Sequence, residues 1–498
     1  MLLKAGALSL ALLLVSRVLG LLRESALAAT FGTSGLADVA VLMLTLPDWL
    51  AGVIASGALA YVLLPAWVGQ APAEVAATQR RVASMLLAAA GVLALALAMG
   101  RDPAVAWLAG GVAGSLRPLA ATALLWSALA LPAALLAGLW TTRLQHERDF
   151  LGLYSAGIVV NMVLLAAIAA AALAPSSAAA VTWLGGGLLA AMLLRLGWLG
   201  WRQGPQAPPA ALAGAPGLPP PPVWLWAILS AGLPLALPFA ARSMASQSGE
   251  GALATFNYAW KLIELPLLLA IQLVATLSFP AVVLALSSPL HSTAQDGTDE
   301  PVRTAFALAF TLACACAAGL LAGAPALTQL LFGWGRMEPQ SLERIAQWAR
   351  IGVWGLLPQS LIAVALTVLA AQRRMKAAVA AYAVALLILL AIAGTAGAMR
   401  VDGAVLMRVL NALLLGVATV SVLAMGRQAR RWLPWGVMAA ALAALLMVAA
   451  TLALLPAPAT IGPGLLAAAL CASVVLATAW LASAGQRKAR LDNRNSVP

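Results

Sequence analysis

Apolar stretches long enough to cross a bilayer follow one another along almost the whole chain, separated by short polar breaks. They fall at about 5–29, 36–68, 82–99, 118–140, 151–174, 179–201, 223–246, 252–286, 303–323, 342–370, 376–397, 403–425, 433–456 and 463–484. A helix needs about 20 such residues to span the hydrocarbon layer, so the pattern predicts an all-α polytopic membrane protein with about 14 transmembrane helices. The second, eighth and tenth stretches exceed that length, which predicts helices that tilt, bend or extend beyond the lipid.

Composition agrees. Of 498 residues 63% are hydrophobic and 9% charged, against about 25% charged in a soluble protein. The formal net charge is +13, but the basic residues recur singly or in small groups between the apolar runs. That is the distribution of the positive-inside rule and not a nucleic-acid footprint. With a cytoplasmic N-terminus, the outside loops hold only Arg101, Arg117, Arg336, Arg344 and Arg400. Six more lie in or at the edges of spans: Arg17, Arg23, Arg242, Lys261, Arg350 and Arg408. The other eighteen of the 29 Lys and Arg residues then fall on the inside, Arg195 among them, and both termini are cytoplasmic. The first stretch resembles a signal peptide, with Lys4, an apolar run and Ala26-Leu27-Ala28. Arg17, Arg23 and Glu24 interrupt it where a cleavable signal is small-residue rich, so it is expected to stay as the first membrane helix.

One segment cannot be a packed helix: Gly204 to Pro222, GPQAPPAALAGAPGLPPPP. It separates six spans from eight and divides the chain into a lobe at 1–203, a linker at 204–222 and a further group from 223. A faint repeat accompanies the division. Leu46-Pro47 opens LPDWLAGVIASGALAYVLLPA and Leu265-Pro266 opens LPLLLAIQLVATLSFPA, each in the second span of its lobe. Repeated halves are common in transporters.

Charges inside the spans are the candidate chemistry, because a charge at the bilayer centre costs about 2.5–3.5 kcal/mol on insertion scales. Ser16-Arg17-Val18-Leu19-Gly20-Leu21-Leu22-Arg23-Glu24 places two arginines and a glutamate in one apolar helix. Arg17 and Glu24, seven apart, share a face, and Gly20 thins the helix for close approach. Two readings stand. Arg17 pairs with Glu24 or Asp38 while Arg23 reaches an interface, or both arginines face a cavity and bind an anion. Lys261 and Glu264, three apart, either neutralise each other or serve the same site. Arg350 reads as a solvated helix end.

Prolines at 47, 65, 132, 234, 238, 266, 280, 325 and 358 predict bent spans. Tryptophans at 49, 107, 140, 183, 198, 201, 224, 226, 432 and 435 read mostly as an interfacial belt. Catalysis on loops calls for clustered carboxylates or histidines. The chain has two histidines, His146 and His291, and one acidic cluster, Asp296, Asp299 and Glu300, which reads as a solvated loop. Cys314, Cys316 and Cys471 lie in apolar runs without metal-ligand spacing. No enzyme, metal or cofactor is expected.

Several of these stretches resemble one family. Ser16 to Glu24, then Phe31-Gly32, Asp38, Leu46-Pro47, Ser56-Gly57-Ala58 and Pro65, are similar to the start of the MurJ (MviN) lipid II flippases of the multidrug/oligosaccharidyl-lipid/polysaccharide exporter superfamily. Tyr258-Ala259-Trp260-Lys261-Leu262-Ile263-Glu264-Leu265-Pro266, Leu330-Leu331-Phe332-Gly333 and Ala370-Ala371-Gln372 fit the same family. The resemblance implies two pseudo-symmetric six-helix lobes, 1–203 and 223–426, around a cationic cavity. Two C-terminal helices at 427–484 would shape a lipid-tail groove, with a basic tail at 485–498. It also implies that Arg17, Arg23 and Lys261 hold the pyrophosphate of an undecaprenyl-linked precursor, with Glu24, Asp38 and Glu264 as acidic partners. Gly20, Pro47, Gly57 and Pro266 would then be packing or hinge positions. Guanidinium forks suit diphosphate oxygens bidentately.

The chain also departs from the family pattern. Ala51-Gly52 replaces an Arg-Arg pair, Ser56 a glutamate, Trp260 an aspartate and Lys261 an arginine, with Arg242 and Arg408 as candidates to restore cavity charge. AAVAAYAVALLILLAI lacks the Asn and Asp residues that help some members bind sodium. The expectation is a monomeric flippase in the bacterial inner membrane that moves lipid II by alternating access among membrane lipids. The departures leave open another polyprenyl-pyrophosphate-linked oligosaccharide (an exopolysaccharide or O-antigen unit) or a non-transporting scaffold.

Overall fold

The computed structural model describes residues 2–204, 218–287, 299–372, 374–395, 402–454 and 460–495. Most of the Pro/Ala-rich linker, His291, Asp296, Arg373 and Arg400 lie outside them. Every regular element among the described residues is helical.

About fourteen membrane spans can be placed among the described residues. Eleven are helices long and apolar enough to cross a bilayer. The other three are the first helix, α1 (Leu2–Phe31), and two interrupted ones. The second span runs through α2 (Gly35–Ala51), a π-helical turn at Gly52–Leu59 and α3 (Ala60–Trp67). After α4 (Pro72–Met99), a short α5 (Arg101–Leu108), α6 (Arg117–His146), α7 (Phe150–Ala172), α8 (Ser177–Gln203) and α9 (Pro221–Ser246), the eighth span is interrupted in the same way. It passes through α10 (Ala252–Pro266), a π-helical turn at Leu267–Ile271 and α11 (Gln272–Ser287). These are the two stretches that open on Leu-Pro. The proline takes one backbone donor out of the helical ladder, and the chain widens to π geometry within the next two turns. The tenth span, also over-long in sequence, is an amphipathic α13 (Pro339–Gly352), a 3-10 turn at Val353–Gly355 and α14 (Leu356–Ala371).

The chain forms two compact units, Met1–Ala254 with Trp334–Glu338, and Thr255–Gly333 with Pro339–Pro498. The first therefore continues past the Pro/Ala-rich segment and takes in α9, which packs on the π-helical turn of the second span. In this unit α1 lies along α7, where Asn161 donates its amide to the Ser16 carbonyl at 3.1 Å. A Cβ on Gly157 would collide with Ser16 Oγ, so glycine sets that approach. Asp149 caps α7 through the Gly152 amide at 3.0 Å and pairs with Arg202 of α8 at 2.7 Å. Asp149→Ala removes the cap and leaves a half-buried guanidinium unpaired. It is expected to lower stability by about 1–2 kcal/mol, measured by thermal unfolding in detergent.

In the second unit, α12 (Glu300–Phe332) is the central helix. The last helix, α19 (Ile461–Asn495), crosses it at Gly319 and Gly323, where a Cβ on Gly323 would lie 2.6 Å from that of Ala468. Small residues four apart let membrane helices approach closely, and the stabilisation is dispersion from packed atoms. α19 continues as helix to Asn495, through most of the basic tail. The remaining helices are α15 (Lys376–Thr395), α16 (Gly403–Ala424), a four-residue α17 (Ala429–Trp432) and α18 (Trp435–Leu454).

Two surface readings change. Asp299 is not simply a solvated acid: its Oδ1 accepts the indole N–H of Trp432 at 2.7 Å, which buries that tryptophan away from any interfacial belt. Trp49 likewise stacks on Phe239, ring centres 4.7 Å apart. Buried indoles seek a polar or aromatic partner when packing removes water.

Candidate functional site

The charged residues of the first unit gather around α1. Arg23 Nη2 donates to Glu24 Oε1 at 2.8 Å, and its Nη1 stands 3.6 Å from Asp48 Oδ2 on α2. Glu24 is thus held by its sequence neighbour, not by Arg17. Arg17 is exposed and makes no hydrogen bond or ion pair among the described residues. Gly20, one turn on, faces Asn161, and a Cβ there would meet its amide nitrogen at 3.7 Å, an ordinary contact. The Ser16–Gly20 face of α1 is therefore the packed one.

Asp38 does not meet an arginine. It is fully buried, and its carboxylate accepts the Gly251 amide at 2.7 Å and the Ala254 amide at 2.8 Å, capping the start of α10. The exchange is reciprocal, since Glu250 accepts the Gly35 amide at 2.9 Å at the start of α2. Each acid satisfies orphan donors at the other helix's positive end. Gly251 is needed there: its φ is +78°, and a Cβ would strike the Thr33 carbonyl.

Two residues missed in the sequence belong to this group. Asp48 follows Pro47 directly and is 45% exposed at its side chain. Arg195 of α8, counted from sequence with the inside loops, is half-buried within a span, on a helix against which α2 packs. The available signal was its place inside the apolar run 179–201. α1, α2 and α8 of this unit thus carry three guanidiniums, Arg17, Arg23 and Arg195, and two carboxylates, Glu24 and Asp48, with Asp38 engaged elsewhere; only Arg23 lies within 4 Å of either carboxylate among the described residues. Arg242 is half-buried near the end of α9. Pro47 lies inside α2, and Gly57 within the π-helical turn that follows.

In the second unit Lys261 Nζ bonds Glu264 Oε2 at 2.7 Å, both partly exposed. The pair stands on the last turns of α10, and Pro266 closes that helix at the π-helical turn. Tyr258, from the same stretch, packs against Phe332, ring centres 5.1 Å apart. Arg408 is exposed on α16. Arg350 is not a solvated end, because its Nε donates to the Leu321 carbonyl of α12 at 3.1 Å. In both units, then, charges precede a π-helical interruption by one or two turns, a place where such turns often serve function.

About fourteen apolar spans, two of them broken beside charged residues, define a polytopic membrane protein of the transporter class. The sequence pattern of the family described as MurJ: Lipid II flippase MurJ matches residues 27–462, and the chain belongs to that family. Among curated proteins no sequence matches it. Its fold is similar to a solved structure titled lipid II flippase MurJ, inward closed conformation, with TM-score 0.78 at 12% identity, covering 97% of this chain and 100% of that one. An inward-facing multidrug resistance MATE transporter of the MOP superfamily gives TM-score 0.59 at 14% identity, with 89% and 99% covered. A MOP superfamily transporter from Pyrococcus furiosus gives 0.52 at 16%, with 88% and 96% covered.

Proposed function

We propose that this protein is a flippase that carries an undecaprenyl-diphosphate-linked peptidoglycan precursor, lipid II, across the bacterial inner membrane by alternating access. The observation that carries the reading is Arg17, an exposed guanidinium without a protein partner on a membrane helix, beside the Arg23–Glu24–Asp48 group. A cation in that setting needs an anion or water, and a diphosphate offers a guanidinium fork several acceptor oxygens at once. Arg17 and Arg23 hold the diphosphate. The polyprenyl chain stays in lipid, along the exposed apolar faces of α18 and α19, which include Leu446, Met447, Leu470 and Leu481. The protein works as a monomer with both termini cytoplasmic.

The test is growth of a bacterial strain depleted of its own lipid II flippase. Wild-type protein is expected to restore growth and Arg17→Ala to fail at equal membrane abundance. Failure of well-expressed wild type would end the lipid II assignment, and rescue by Arg17→Ala would end the role of Arg17. Ala51-Gly52 and Lys261, where the family pattern carries arginines, favour a second reading: the same chemistry on another polyprenyl-diphosphate-linked oligosaccharide, an exopolysaccharide or O-antigen unit.

A further inference from the structure

Asp48 is the outward-facing carboxylate of the first unit's charged group, 45% exposed at its side chain where Glu24 is 7% exposed. Its 3.6 Å separation from Arg23 is loose beside the 2.8 Å bond that ties Arg23 to Glu24. α2 also packs on α8, the helix that carries Arg195. Arg195 makes no hydrogen bond among the described residues, and its Nε is buried without an acceptor. A buried guanidinium donor left unmade is costly. One exposed carboxylate therefore holds Arg23 loosely, and Arg195 has no carboxylate within ion-pair distance among the described residues. Asp48 directly follows Pro47 within α2, one turn before the Gly52–Leu59 π-helical turn, a type of interruption often found at functional sites.

We propose that Arg195 is a further anion-binding residue of this protein, and that Asp48 is an internal competitor that occupies Arg23 until a phosphate or diphosphate replaces it. The proposal rests on the anion-site reading of Arg17 and Arg23. At Arg23 the replacement exchanges one anion for another, so that guanidinium keeps a counter-ion throughout. A diphosphate, with more charge and more acceptor oxygens, displaces a loosely held carboxylate. Asp48, already half in contact with solvent, loses little by yielding. The same competition weakens the hold on the bound anion and eases its release.

The experiment is calorimetric titration of the full-length protein in detergent at low ionic strength with two probes, inorganic pyrophosphate and farnesyl diphosphate. Asp48→Asn is expected to tighten binding about tenfold and Arg195→Gln to weaken it about tenfold, the scale of one charge-assisted hydrogen bond. Arg195→Lys, which keeps the charge, is expected to retain most of the affinity and the wild-type melting temperature. This pattern with either probe supports the proposal, and the probe that shows it distinguishes a free anion from a lipid-linked one. If Arg23→Gln abolishes binding while Asp48→Asn and Arg195→Gln leave it unchanged, the proposal is overturned and the anion-site reading stands. If neither wild type nor Asp48→Asn binds either probe, both fall.

Discussion

Arg23→Ala is expected to abolish growth rescue of a flippase-depleted strain, and to do so for two separable reasons. Arg23 is the ion-pair partner of Glu24, which is 7% exposed at its side chain, and it also faces Asp48. Removing it takes the arginine counter-ion from a buried carboxylate, and breaking a buried pair from one side costs about 3–5 kcal/mol. The same change removes a guanidinium fork from the proposed diphosphate site. The double variant Arg23→Ala/Glu24→Gln separates the two effects. Neutralising Glu24 removes the buried charge, so membrane abundance and melting temperature should return toward wild type while growth does not. Arg23→Lys keeps the charge but not the fork and should rescue partially. Full growth of the double variant would show that Arg23 serves folding alone.

Asp38→Ala is expected to be the most destabilising single change at the start of α2. The fully buried carboxylate takes the amides of Gly251 and Ala254, and nothing in alanine can replace either bond. Hydrogen bonds to a charged group contribute about 1.5–3 kcal/mol each. Allowing for the burial cost that the carboxylate itself carries, a loss of about 3 kcal/mol is anticipated. Asp38→Asn keeps one carbonyl acceptor and turns an N–H toward the second amide, so it should lie between. Thermal unfolding of the purified protein measures both, with Asp149→Ala as the milder reference. A melting temperature for Asp38→Ala equal to wild type would refute the capping role.

The place of Asp38 shows why a site is harder to read from sequence than a fold. Its position in an apolar run marked it as an acid needing a partner, and arginines on the preceding helix were the nearest candidates. Its partners are backbone amides more than 200 residues away, groups that every residue but proline carries and no composition can single out. Arg195 and Asp48 show the complementary difficulty. Arg195 lies between positions whose charges belong to the inside face, and Asp48 is hidden in a Leu-Pro-Asp-Trp turn, 25 residues from Arg23. Neither has a helical register with the residues it acts on. By contrast, Lys261 and Glu264 were readable as a pair because both lie on one turn of one helix, and they bond there at 2.7 Å.

The sequence by itself determined the membrane class, the succession of about fourteen apolar spans and the over-long second, eighth and tenth. Each follows from the length and continuity of apolar runs, which are local properties that the bilayer reads directly. The Leu-Pro openings likewise foretold bending, because proline removes its donor wherever it stands. Only the tertiary structure decided which charge meets which. It placed Glu24 with Arg23, Asp38 on the start of α10, Arg350 on the Leu321 carbonyl, and left Arg17 exposed. The physical reason is range. Hydrophobic span length acts within one segment, whereas the cost of burying a charge is settled by whichever donors packing brings within about 3 Å.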